Sequence, residues 1–120
     1  MILIIGGAYQ GKLDYARERF ELTESDIFTC GEDAIDFGKR CMDRIEEFVW
    51  THPDALDIFR EHREEWENSI LICRDLSGGV VPMERMNRDW QRNTGKLCQY
   101  LAGEADQVIR VFCGLEQRLK

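Results

Sequence analysis

Met1 to Ala16 reads MILIIGGAYQGKLDYA: the apolar run Ile2 to Ile5 enters a glycine-bearing segment, and a helical pattern begins at about Lys12. A short run that is apolar on successive residues predicts a strand covered on both faces. The segment Gly6-Gly7-Ala8-Tyr9-Gln10-Gly11-Lys12 has the GxxxxGK spacing of a phosphate-gripping loop and sits where such a loop belongs, between strand and helix. Backbone N–H groups of that loop converge on a phosphate, the helix N-terminus adds a favourable dipole, and the lysine reaches the β and γ phosphates. Glycine is required wherever a Cβ would block close approach or the backbone needs an unusual φ. The expected phosphate contacts are therefore Gly6, Gly7, Ala8, Tyr9, Gln10, Gly11 and Lys12, with Lys12 the catalytic charge.

Working outward, three more runs have the same short, apolar character between turn residues: Asp26 to Cys30, Ser69 to Arg74, and Val108 to Cys113. Helical patterns lie between them. One follows the glycine loop from Lys12 to Glu21, and a second opens at Glu32 or Asp33 and continues to Trp50, where Thr51-His52-Pro53 breaks it. A third begins near Pro53 and carries Leu56, Phe59, Arg63 and Trp66. The fourth spans Met83 to Glu104 with Met86, Trp90, Leu97 and Leu101 as its inward stripe. Alternating strands and helices imply right-handed crossovers. The expected fold is α/β: a P-loop NTPase-like three-layer sandwich with a mostly parallel sheet of about four strands, in one domain over residues 1–120.

Leu13 stands where a phosphate loop normally carries the Ser or Thr hydroxyl that binds Mg²⁺, and leucine cannot ligate a hard cation. Asp75, just beyond the SILICR strand, is the candidate metal carboxylate, because ligands of open α/β sheets gather at the C-terminal ends of strands. Its alternative reading is a helix or turn cap.

The 16 basic against 23 acidic residues leave a formal charge of -7, which argues against non-specific attraction to nucleic acid or to an anionic membrane. A polyanion must bind in a local site. The start MILII lacks the basic flank and the length of a signal segment, so a cytoplasmic protein is expected. The 5 cysteines form no CxxC pair, and Cys30, Cys73 and Cys113 read as small buried hydrophobes.

The second half is more specific. In LICRDLSGGVVPMERMNRDWQRNTGKLCQYLAGEADQVIRVFCGLEQRLK, a strand ends in Gly78-Gly79-Val80-Val81-Pro82, and a long helix follows with Arg88, Trp90, Gly95, Gln99, Leu101 and Ala102. Ala105, Asp106 and Val108 lead into the last apolar run, then come Gly114, Leu119 and Lys120. Together with MILIIGGAYQGK, this order resembles the bifunctional adenosylcobinamide kinase/adenosylcobinamide-phosphate guanylyltransferase family of cobalamin biosynthesis. The resemblance implies a glycine loop that binds ATP or GTP to phosphorylate a corrinoid alcohol, and a histidine that takes up GMP and passes it on. It implies that Gly78, Gly79, Pro82, Arg88 and Trp90 line the same cleft. It also implies a homo-oligomer, a trimer in the family's pattern.

Departures accompany the match. The family loop carries Arg-Ser before Gly-Lys-Ser, where this chain has Tyr9, Gln10 and Leu13. The chain is shorter than the family's between the first helix and the SILIC strand, where the family keeps an acidic strand and the guanylylated histidine. If CMDRIEEF aligns with the segment leading to that histidine, Phe48 stands near its position and cannot accept GMP. His52 and His62 then read as surface residues rather than displaced nucleophiles. Two readings stay open: a kinase-like enzyme that uses Lys12 for phosphoryl transfer, and a lapsed nucleotide- or corrinoid-binding paralogue with a regulatory or structural role.

Overall fold

Ile2–Gly6 forms β1, the centre of a sheet whose other strands are β2 (Ile27–Thr29), β3 (Cys41–Asp43), β4 (Ile70–Arg74), β5 (Gln107–Phe112) and β6 (Leu115–Arg118). The computed structural model describes residues 1–76 and 85–120, and the side chains of these except Arg85 and Met86. Among the described residues the strand order is β2-β3-β4-β1-β5-β6, with every pairing parallel except that of β6 with β5. The register sets Leu3 beside Leu71 and Val108, and Gly6 beside Arg74.

Because strand side chains alternate, Leu3, Leu71 and Cys73 enter one core, and Ile4, Ile70 and Ile72 the other. The first core takes residues of α2 (Ile45–Thr51), α3 (Ala55–Glu61) and α4 (Arg85–Glu104). The second takes Ala16 of α1 (Lys12–Phe20), with Leu13 and Phe20 at its margin. Helices thus cover both faces, which explains why the central strands are apolar on successive residues. Trp66 is fully enclosed, its indole N–H donating to the Phe59 carbonyl at 2.7 Å, so the ring gains its burial without stranding a donor.

The sheet has six strands among the described residues rather than about four. Residues expected to be helical after Asp33 instead form an irregular stretch, β3, and a helix that opens only at Ile45. Arg44 adopts a left-handed backbone, φ 58°, which ends the strand and starts the helix in one step. The three residues of β3 are all buried, so no alternation marks them as a strand. β6 fails to show for the opposite reason: all four of its residues are exposed. It is joined to β5 by the two residues Cys113 and Gly114, both at positive φ (51° and 75°), as a tight right-twisting hairpin requires. Cys113 is accordingly exposed rather than buried, whereas Cys30 and Cys73 are buried as expected. Helix α3 stops at Glu61, and Trp66 reaches the core from the turns that follow.

Candidate functional site

The glycine segment leaves β1 at Gly6 and enters α1 at Lys12, with Tyr9 (φ 60°) and Gly11 (φ 87°) supplying the left-handed turns. The two leading glycines differ in what they need. A Cβ on Gly6 would lie 2.5 Å from the Val111 carbonyl oxygen, so Gly6 is fixed by the packing of β1 against β5. At Gly7 the nearest atom is Gln10 Cγ at 3.6 Å, an ordinary contact. Gln10 pins the loop to the hairpin: its Oε1 accepts the Cys113 N–H at 2.7 Å and its carbonyl accepts the Gly114 N–H at 2.9 Å. Tyr9, in contrast, is fully exposed.

Lys12 Nζ donates to the Gly7 carbonyl at 2.6 Å, folding the side chain back over the loop. Burial pulls its pKa below the ordinary lysine value, while the charges of Glu46 and Asp43 oppose that shift. Those two carboxylates share a cleft of about 570 Å³ with Lys12, the loop from Ala8 to Asp14, and Arg74. Asp43 closes β3 and Glu46 sits in the first turn of α2, each 7% exposed. Glu46 accepts the Arg74 backbone N–H at 2.9 Å, and its own carbonyl accepts the Trp90 indole N–H at 2.7 Å. Desolvation pushes both carboxyl pKa values up, against the backbone N–H groups and the Lys12 charge that hold them down. A lysine ammonium and two desolvated carboxylates in one cleft at the C-terminal edge of a parallel sheet can bind phosphate through the cation, and hold a hard cation or accept a proton through the carboxylates.

Sequence reasoning singled out neither Asp43 nor Glu46. The available signal was Asp43 itself, an acid directly after the apolar pair Cys41-Met42, where a strand end would place it over the ligand crevice. Asp75 lines an adjoining cavity rather than this cleft, and its N–H donates to the Gly6 carbonyl at 2.8 Å. Arg88 is exposed on α4, and Trp90 packs edge-on to Trp50 with ring centres 5.3 Å apart; neither side chain lines the cleft. Gly78, Gly79 and Pro82 lie outside the described residues.

Both histidines line a separate cleft of about 390 Å³, with Phe37, Phe48 and Ile58. His52 stacks on Phe48 at 4.1 Å between ring centres, and its Nδ1 lies 2.9 Å from Thr51 Oγ1 and 3.1 Å from the Phe48 carbonyl. His62 stacks on Phe37 at 4.7 Å. Each is partly covered by an aromatic ring instead of fully solvated, yet neither lines the cleft that holds Lys12. Burial drives the Cys30 and Cys41 thiols up to about 12, which keeps them protonated and poor as ligands. No three His, Cys, Asp or Glu side chains among the described residues converge into a metal cluster.

Compared with models of known families, residues 40–119 match cobinamide kinase / cobinamide phosphate guanyltransferase. The chain belongs to this family. A search of the curated proteins returned no match. The matched region is two thirds of the chain and includes Asp43, Glu46, Arg74 and all of α4 and β5, while the glycine loop precedes it. Cobinamide kinase / cobinamide phosphate guanyltransferase is a P-loop family of cobalamin biosynthesis that uses nucleoside triphosphates. For this member of it, no helix among the described residues is long and apolar enough to cross a membrane.

Proposed function

We propose that this chain holds a nucleoside triphosphate on its glycine loop and transfers the γ-phosphoryl group to the hydroxyl of a corrinoid, without the histidine-mediated guanylyl step. The observation that carries this reading is the grouping of Lys12, Asp43, Glu46 and Arg74 around one cleft at the mouth of the loop. Lys12 counters charge on the phosphoryl oxygens as the bond from γ-phosphorus to the bridging oxygen breaks. The acceptor oxygen forms the new bond to phosphorus, the nucleoside diphosphate leaves, and the hydroxyl proton passes to a desolvated carboxylate whose raised pKa suits it to receive one. Mg²⁺ fits this donor set, since Asp43 is a hard oxygen donor that would hold it together with the phosphates, where it would add Lewis-acid neutralisation, leaving Glu46 as the carboxylate that takes the proton. Asp75, one cavity away, is the further carboxylate of the same region.

The guanylyl step is left out because Phe48 is a 2% exposed core residue and both histidines line the other cleft. Leu13 supports the second reading, a binding protein that no longer turns over. Calorimetric titration with ATP and with GTP, with and without Mg²⁺, separates the two when followed by an assay with adenosylcobinamide. Binding strengthened by Mg²⁺, abolished in Lys12→Ala and followed by release of nucleoside diphosphate supports the kinase. Binding indifferent to Mg²⁺ with no turnover selects the binding protein, and no binding of either nucleotide refutes both.

We also infer a homo-oligomer, a trimer on the family's pattern. Supporting it are Phe112, Leu115 and Leu119, all exposed on or beside the β5–β6 hairpin. Sedimentation velocity of the wild type and of Leu115→Lys tests this, with a monomeric wild type as the refuting result.

A further inference from the structure

β6 is an edge of the sheet, and among the described residues no strand lies beyond it. The two-residue turn at Cys113 and Gly114 makes Phe112 and Leu115 the closing hydrogen-bonded pair, and such pairs then recur at every second residue. Leu119 keeps the alternation, its N–H donating to the Val108 carbonyl at 2.8 Å. The N–H and C=O groups of Leu115 and Gln117 are therefore committed to β5, while those of Glu116 and Arg118 point outward from the sheet. Side chains alternate as well. Glu116 accepts the Tyr15 hydroxyl and lines a cleft with Arg19 and Arg118 on the α1 face. Leu115, Gln117 and Leu119 lie on the opposite face, where the two leucines are 72% and 53% exposed. Neither Glu116 nor Arg118 has an ion-pair partner among the described residues of its own chain. Arg118 engages only its Nε, which donates to the Lys120 carbonyl at 2.9 Å.

We propose that β6 is a self-pairing edge on which a second copy of this chain docks, the two strands running antiparallel about a two-fold axis at Gln117 and joining both sheets into one. The stretch Leu115-Glu116-Gln117-Arg118-Leu119 is its own complement in that arrangement. Glu116 faces the partner's Arg118, Leu115 faces the partner's Leu119, and the two-fold axis repeats each contact. The backbone agrees, because Glu116 and Arg118 carry the outward N–H and C=O groups and are the residues brought opposite. Other registers fail. Slipping one strand by two residues sets Glu116 against Glu116 in one direction and Arg118 against Arg118 in the other. Slipping by one residue sets outward groups against groups already committed to β5. Charges guard a sheet edge when they repel the incoming strand. Here opposite signs stand two residues apart, so they select a register instead of barring the pairing. The inference rests neither on the phosphoryl transfer nor on the three-fold assembly proposed above. A two-fold contact builds even-numbered assemblies: a dimer by itself, or a hexamer where a three-fold contact also forms.

Sedimentation velocity of the full chain over a concentration series tests this, read beside charge-reversed variants. Arg118→Glu places a glutamate opposite Glu116, and Glu116→Arg places an arginine opposite Arg118. Each variant alone should raise the dissociation constant of the two-fold contact by roughly tenfold or more, leaving a monomer or a trimer. Mixing the two variants, or combining both substitutions in one chain, again sets opposite charges face to face and should restore the wild-type stoichiometry. Thermal melts verify that each variant is folded, and recovery on mixing separates a lost contact from a lost fold. A dimeric wild type supports the edge pairing and removes the trimer, and a hexamer supports both. A trimeric wild type refutes the edge pairing alone, and a monomer refutes both. The pairing is equally refuted if the single variants keep the wild-type stoichiometry or if neither the mixture nor the double variant recovers it.

Discussion

The Glu46 carboxylate accepts the Arg74 backbone N–H across 2.9 Å, tying the first turn of α2 to the last residue of β4. The bond fixes a carboxylate in the phosphate cleft at the cost of desolvating it, and that cost sets a pH dependence. The Glu46 and Asp43 pKa values are raised by folding, so over the interval above their ordinary values the folded chain binds more protons than the unfolded chain. Their contribution to stability is greatest when both are protonated and declines as pH rises through the folded pKa values. Asp26 and Asp106 have lowered pKa values, through the Thr23 N–H and the N-terminal ammonium respectively, and their contribution is lost only as pH falls below the ordinary aspartate range. Glu46→Gln keeps an acceptor for Arg74 and removes the buried charge. Its melting temperature should exceed that of the wild type at pH 7 by a few degrees, and the difference should shrink toward pH 5 in thermal melts.

Gly6 and Gly7 should part company on substitution. Gly6→Ala drives a methyl to 2.5 Å from the Val111 carbonyl oxygen, a rigid backbone atom, so β1 and β5 must separate locally. A loss of about 1–3 kcal/mol is expected from overpacking of this kind. Gly7→Ala makes only a 3.6 Å contact with a flexible side chain and should leave denaturant midpoints nearly unchanged. Equal losses at the two positions would show that the close approach of β1 to β5 is not what fixes Gly6.

Gln10 couples the loop to the Cys113–Gly114 turn through one side-chain and one backbone acceptor. Gln10→Ala removes only the side-chain bond, a loss of about 0.5–1.5 kcal/mol. The loop then samples conformations that do not converge on phosphate, so ATP affinity should fall roughly threefold to tenfold, for the same free energy. Calorimetry on the variant reads the affinity, and an unchanged dissociation constant would show that the hairpin does not hold the loop in its binding shape.

Burial governs which parts of this molecule could be seen in its sequence. β1, β4 and β5 stand out because two helical layers cover them, so Ile2 to Ile5, Ile70 to Cys73 and Val108 to Val111 are apolar for most of their lengths. β3 is as buried, yet three residues set between Arg40 and Arg44 make neither a run nor a period. β6 is a paired edge strand with no face to bury, so only the positive φ that Gly114 permits hints at a hairpin. The candidate site divides in the same way. The glycine loop is contiguous and its spacing is its signature, whereas Asp43, Glu46 and Arg74 meet Lys12 only through the order in which β3, β4 and β1 lie side by side.

Leu13 decides how far the cleft departs from a metal-dependent phosphate loop. Its side chain is half-buried against the core beneath α1, together with Tyr15 and Phe20, so it contributes to packing as well as displacing a hydroxyl. Leu13→Ser reverses both. Losing part of an apolar contact should cost about 1–2 kcal/mol, since this is less than the full burial of a leucine. Gaining a hydroxyl directly after Lys12, at the start of α1, returns the hard donor that Mg²⁺ takes from such loops. The variant should therefore melt at a lower temperature and bind ATP more tightly in the presence of Mg²⁺ than in its absence, by a wider margin than the wild type. If the Mg²⁺ dependence of ATP affinity is the same in both, the metal's protein contacts come from elsewhere, and Asp43→Asn is then the substitution that should abolish the dependence.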